Sequence, residues 1–250
     1  MALFETLAVV IVVALVSAFA VYLKTRLFPV GEDEEPREDV AEYIAMMVSV
    51  LYAIVLGLCL VSVWDTRSVA SDTVAAEASA LHQTYLLADA LPAAQQQPLR
   101  DAARAYATHV VDVEWPRMAA REPLGQEGWG LLRHLRTAGQ IQGNGTTAQQ
   151  IAGQEILAQI GSVDDARRSR ESAAQESLSP VLWAGLIIGG LLTLAFMFLF
   201  GISRSTTHVV MVMGLAGFIA FTVLLIHQLD APFGDMLGAS PDPFTRYFGT

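Results

Sequence analysis

The sequence predicts an all-α fold: four transmembrane helices, with a helical-bundle extramembrane domain between spans two and three, on stalks continuous with those spans. Three observations predict it. Of 250 residues, 53% are hydrophobic and only 16% are charged, a balance typical of integral membrane proteins and rare in soluble domains. Four apolar runs, 4–23, 43–63, 181–200 and 209–226, are close to the ~20 residues that cross a bilayer. Between the second and third runs the apolar residues fall into helical stripes with no strand-like alternation.

The run 4–23 has no basic leader before it and is followed by Lys24 and Arg26, so it reads as a retained span and not a cleaved signal. An acidic loop follows, with Glu32, Asp33, Glu34, Glu35, Glu38, Asp39 and Glu42 against Arg37. It could draw cations to a pore mouth or bind divalent ions. No regular oxygen-ligand spacing is present, and a solvated linker is the favoured reading.

Past residue 63 the second run becomes amphipathic. Val69, Val74, Ala78, Leu81, Tyr85 and Ala88 recur at three- and four-residue spacing, the mark of one buried helical face. No Gly or Pro interrupts until Leu91-Pro92, the first clear stop. One helix over 43–90 is predicted, ~70 Å long at 1.5 Å per residue, more than twice the ~30 Å of hydrocarbon.

A second helix is predicted over 93–120, with Leu99, Ala103, Tyr106, Val110 and Val113 as its stripe. Pro98 is tolerated near its start, and Pro116 should kink or end it. "REPLGQEGWG" reads as a turn, 131–137 as a short helix, and "GQIQGNGTT" as a connection. Thr146 or Thr147 can cap the next helix, which carries Ile151, Ile156, Ile160 and Val163, then the polar run "DDARRSRESAAQES". It leads to the third apolar run through Pro180. The segments are therefore 1–63 (spans one and two with the acidic loop), 64–179 (helical extramembrane domain), 180–228 (spans three and four) and 229–250 (tail).

Charge narrows the function. A formal net charge of -10 argues against nucleic acid, which demands clustered Lys and Arg. Residues 64–179 hold ten basic and fourteen acidic side chains, which is no lipid-binding basic patch. Lys24, Arg26 and Arg37 lie in one short loop and Arg204 in the other. They predict both loops in the cytoplasm and the central domain outside, in a multi-pass membrane protein.

Enzyme signatures are thin. There is no Gly-rich nucleotide loop, Cys/His metal pattern or Ser-centred elbow; no catalytic residue, cofactor or metal is expected. His109, Asp112 and Glu114 admit a metal or acid–base reading, but a solvated helix face is favoured. His82 and His134 read as surface residues. Cys59 is the one cysteine and forms no internal disulfide.

Ala45, Ser49, Tyr52, Cys59, Ser62 and Thr66 fall within roughly 140° on the second span. Such a stripe can line a water-filled path or be a close helix–helix contact, and packing is the favoured alternative. If it is a path, Ser49, Tyr52, Cys59, Ser62 and Thr66 line it, with Tyr52 as the constriction. His227 and Asp230 end the fourth span, either as a pore-mouth pair or as a simple interfacial helix end. Gly185, Gly189, Gly190, Gly214 and Gly217 read as packing notches. No carboxylate, Lys or Arg sits at mid-membrane, which argues against proton relays and coupled transporters.

The stretches "VWDTRSVASDTVAAEASAL", "LPAAQQQPLRDAARAYATHVVDVEWPRM", "HQLDAPFGDM" and "SPDPF", taken in order, resemble the bacterial bestrophin-like membrane proteins over nearly the whole chain. The matching positions are Trp64, Glu77, Ala78, Leu91, Pro92, Leu99, Tyr106, Val110, Val111, Glu114, Trp115, Pro116, Met118, Asp230, Pro232 and Phe233. The resemblance implies four spans and a homo-oligomer around one pore; true bestrophins are pentamers. It also implies a cytoplasmic central domain, opposite to the loop charges. The bestrophin aromatic neck and calcium clasp are not evident in this sequence. The expected function is an oligomeric ion channel or pore in the lipid bilayer, with inorganic ions as cargo. The alternative is a non-conducting membrane sensor or scaffold whose bundle binds a ligand or partner.

Overall fold

The computed structural model describes residues 35–141, 145–199, 206–234 and 237–249, with scattered positions between 8 and 23. Those scattered positions are helical, but most of the first predicted span lies outside the described residues, as do Lys24, Arg26, Arg204 and the acidic residues 32–34. Among the described residues the fold is entirely helical. Contacts divide the chain into two compact units: Met1–Trp64 with Leu178–Asp230, and Asp65–Ser177 with Ala231–Thr250.

Helix α1 spans Glu35–Leu87, 53 residues without a break, or about 80 Å. It starts earlier than the sequence suggests: the second half of the acidic loop is already helical. Pro36 suits a first helical turn, where its missing N–H costs nothing. No helix breaker follows, so α1 passes straight through Trp64. A short 3-10 turn, Ala88–Ala90, then tightens the end, and Leu91 is extended with ψ 166°, as a residue before proline prefers.

In the first unit, α1 is joined by α6 (Pro180–Leu199) and α7 (Thr206–Leu229), which pack on each other. Among the described residues three helices are long and apolar enough to cross a membrane. Their outward side chains include Leu51, Ile54 and Leu58, Ile188 and Leu191, and Met211 and Phe218, all exposed. Tyr52, Leu186, Val212, Ala216 and Ile226 are buried between them. Greasy outer faces on helices whose backbone groups are satisfied internally are what a hydrocarbon solvent permits.

The second stalk differs from expectation. The preceding helix ends at Gln175, Glu176 is extended with ψ 133°, and α6 restarts at Pro180. Proline disfavours helical geometry at the residue before it and lacks the N–H a continuous helix requires. The break is stabilised locally: the Leu182 N–H donates to Ser179 Oγ at 3.3 Å, and the Leu178 N–H to Asp230 Oδ1 at 2.6 Å.

The second unit is a bundle of α1's later turns with α2 (Ala93–His109), α3 (Trp115–Ala119), α4 (Glu127–Gly139), α5 (Thr147–Gln175) and α8 (Asp242–Phe248). Leu81, Leu99, Leu135, Ile156, Ile160 and Phe244 are its fully buried apolar centre. Thr146 caps α5 in a reciprocal box with Gln149. Helix α4 extends beyond the expected 131–137 at both ends.

Between α2 and α3 lies a π-turn, Val110–Glu114. Pro116 accounts for it: its ring clashes with the carbonyl four residues back in a regular helix, and the wider turn moves that carbonyl away. The turn also re-aims side chains. Val113, expected on the stripe, is only half-buried, whereas Glu114 is 2% exposed. The segment after Asp230, set apart as a tail on sequence, packs into this unit, with Phe233 edge-on to Trp115 at 5.5 Å and Phe244 fully buried.

Candidate functional site

The most distinctive chemistry lies inside the bundle. Glu77 of α1, Tyr106 of α2, Glu114 of the π-turn, and Arg167 and Arg170 of α5 are all buried. The helical repeat puts them there. Glu77 continues the buried series Val74, Ala78, Leu81, and Arg167 and Arg170 extend Ile156, Ile160, Val163 at three- and four-residue steps.

Arg170 bridges both carboxylates. Its Nε donates to Glu77 Oε2 at 2.6 Å and its Nη2 to Glu77 Oε1 at 3.0 Å. The same Nη2 reaches Glu114 Oε2 at 2.8 Å. Arg167 forks onto Glu114 with contacts of 3.0 and 2.5 Å. The Tyr106 hydroxyl donates to Glu77 at 2.5 Å and accepts from Arg167 at 3.3 Å. Two guanidinium and two carboxylate charges cancel, which is how four ions tolerate a site without water. Trp129 of α4 covers Arg167, 4.9 Å from guanidinium to ring centroid, and donates its indole N–H to Glu171 at 3.1 Å. At Gly128 a β-carbon would strike the Glu114 carboxylate and the Arg167 guanidinium, so glycine lets the first turn of α4 close over the cluster.

Burial alone would lift the Glu114 carboxyl; hydrogen bonds and positive charge from Arg167 and Arg170 outweigh it and hold Glu114 below its ordinary value. Burial would likewise lower both arginines, and their carboxylate partners more than compensate. Burial, with the Glu77 charge beside it, raises the Tyr106 phenol well above the usual value. Glu114, Arg167 and Arg170 are thereby held in their charged forms and Tyr106 in its neutral form. Its chemistry is structural: it pins α1, α2, the π-turn and α5 in one register.

The sequence reading missed this site. Asp112 is solvated as expected, but Glu114 is not, and two of the three arginines in the polar run lie inside: Arg168 is exposed, Arg167 and Arg170 are not. His134 is exposed as expected, but His82 is half-buried and stacked on Tyr247. His109 Nε2 lies 3.6 Å from Glu114. Among the described residues no His, Cys, Asp and Glu grouping could hold a metal ion.

The residues nominated as pore-lining lie in different environments. Tyr52 and Cys59 are buried, 8% and 5% exposed. Tyr52 fills a notch on α6, where a β-carbon at Gly189 would come within 2.5 Å of its ring and one at Gly190 within 2.9 Å of its hydroxyl. Both side chains are thus covered within the single chain. Ser49 is half-buried and donates to the Ala45 carbonyl at 2.8 Å. Thr66 is half-buried, and Ser62 is exposed. His227 and Asp230 converge on Trp183: the imidazole meets the indole edge-on at 5.6 Å, and Asp230 Oδ2 accepts from the indole N–H at 3.4 Å. Asp230 is buried and anchors the entry to α6.

Residues 11–244 match the family model described as a bestrophin-like domain. Among solved structures, a crystal structure described as that of a membrane protein superimposes with a TM-score of 0.54 at 15% identity, over 99% of this chain and 98% of that one. At that identity the likeness is one of fold. No curated protein matches the sequence.

Proposed function

This chain belongs to the bestrophin-like family, and from that premise we propose that it forms an oligomeric ion channel or pore of a bacterial plasma membrane, four spans to a subunit. The carrying observation is the extent of the family match, which takes in the apolar helices and the bundle alike. The residue content of those helices supports the reading. No Asp, Glu, Lys or Arg lies within 43–64, 180–199 or 206–226, so a single subunit has no polar relay across the membrane. A conducting form then needs several copies, and a cyclic ring is the simplest closed arrangement.

Ser49, Ser62 and Thr66 are the members of the polar stripe left at least partly accessible, and they are the proposed lining groups. Tyr52 and Cys59 brace the helix behind them. Uncharged hydroxyls replace part of an ion's hydration and select weakly. His227 and Asp230 mark the pore-mouth end of α7. The loop charges at Lys24, Arg26, Arg37 and Arg204 support an extracytoplasmic bundle. The role is transport of inorganic ions, with no enzymatic step.

Native mass spectrometry of the detergent-purified protein tests the assembly. A closed ring of several copies is expected. A monomer at every workable concentration would contradict both ring and pore.

A further inference from the structure

Seven residues do not hold a helix in water unaided, so α8 keeps its shape by its seat. That seat is aromatic. Phe244 is fully buried. The Tyr247 ring stacks on His82 with centroids 4.4 Å apart and planes at 10°. Phe248 meets His82 and Tyr85 edge-on at 6.1 and 5.9 Å. His82 and Tyr85 belong to α1, and α2 contacts α8 as well. The anchors Phe244, Tyr247 and Phe248 stand at i, i+3 and i+4, the spacing with which one face of a short helix enters a groove.

The hold on α8 is uneven. One aromatic is fully covered, but Tyr247 remains 41% exposed. The His82 Nδ1 is covered and has no hydrogen-bond partner, which weakens the seat as any covered, unpaired polar atom does. A seven-residue element held chiefly through three aromatic side chains is of the kind that opens before the centre of a bundle does.

We propose that this groove on the bundle is a binding site for an aromatic helical peptide of the pattern Phe-x-x-Tyr-Phe, and that α8 is its reversible resident ligand. The helix acts as a latch that lifts while the bundle stays folded. Once it lifts, a peptide of α8's own sequence enters in its place. The site and its occupant are independent of whether the protein conducts.

Hydrogen exchange on the full-length protein tests the latch without a mutation. The Phe244, Thr245 and Gly249 amides, which bond within α8 and to Pro241, should exchange at least tenfold faster than the amides of α1 around Glu77. Exchange of both sets only together would overturn the proposal. A fluorescent peptide covering Ser240–Gly249 tests the groove. It should bind full-length Phe244→Ala saturably, bind wild type at least tenfold more weakly, and lose its binding when Tyr85→Ala is added. Equal binding to wild type and Phe244→Ala, or no binding to Phe244→Ala in a protein whose α1 amides remain protected, would overturn it.

Discussion

Replacing Arg170 by methionine should cost the bundle about 3–5 kcal/mol, the scale seen when one partner of a buried ion pair is removed. Arg170 is fully buried and contacts both Glu77 and Glu114. Without it, Glu77 keeps only the Tyr106 hydroxyl and stands as a nearly uncompensated charge away from water. Urea unfolding in detergent, followed by tryptophan fluorescence, would report the loss through Trp115 and Trp129. The charges matter as a set. Replacing Glu77, Glu114, Arg167 and Arg170 together with apolar residues of similar volume, with Tyr106→Phe, should cost less than Arg170→Met alone, because no fully buried charge is then stranded and Glu171, which loses Arg167, is partly exposed. A loss below about 1 kcal/mol for the single change would mean that the pairing is not as described.

Tyr52→Ala should destabilise the apolar unit by about 3 kcal/mol, on the scale of emptying a buried aromatic site. The ring fills the Gly189–Gly190 notch, and little else can collapse into it. Tyr52→Phe separates packing from solvation. The Tyr52 hydroxyl is covered and has no hydrogen-bond partner, so removing it should be neutral or slightly stabilising. Thermal unfolding of the two variants in the same detergent reads both effects. If Tyr52→Phe is the more damaging change, the hydroxyl faces water and the ring lines a path.

The helices were legible because each rests on a local rule. The uninterrupted α1, the stop at Leu91-Pro92 and the Thr146 cap follow from the absence or presence of single residue types. The break before α6 is also readable in principle, because Pro180 disfavours helical geometry at the residue before it. The charge cluster was legible only in part. Glu77, Arg167 and Arg170 occupy buried positions of otherwise apolar series, yet a charge on a stripe normally marks the stripe's edge. Its burial depends on partners 29 to 93 residues away in sequence, and no local pattern records that pairing. Glu114 was harder still, since the π-turn sets which of Val113 and Glu114 faces inward. The seat of α8 is likewise a long-range contact, between aromatics more than 160 positions apart.

Planar-bilayer recording from purified protein, with its oligomeric state verified in the same preparation, tests the central claim most directly. The account predicts discrete unitary current steps, reduced when Ser62→Trp places a bulky ring at an exposed position of the stripe. Bilayers that contain verified multi-subunit protein and remain silent at every voltage and salt gradient applied would contradict it.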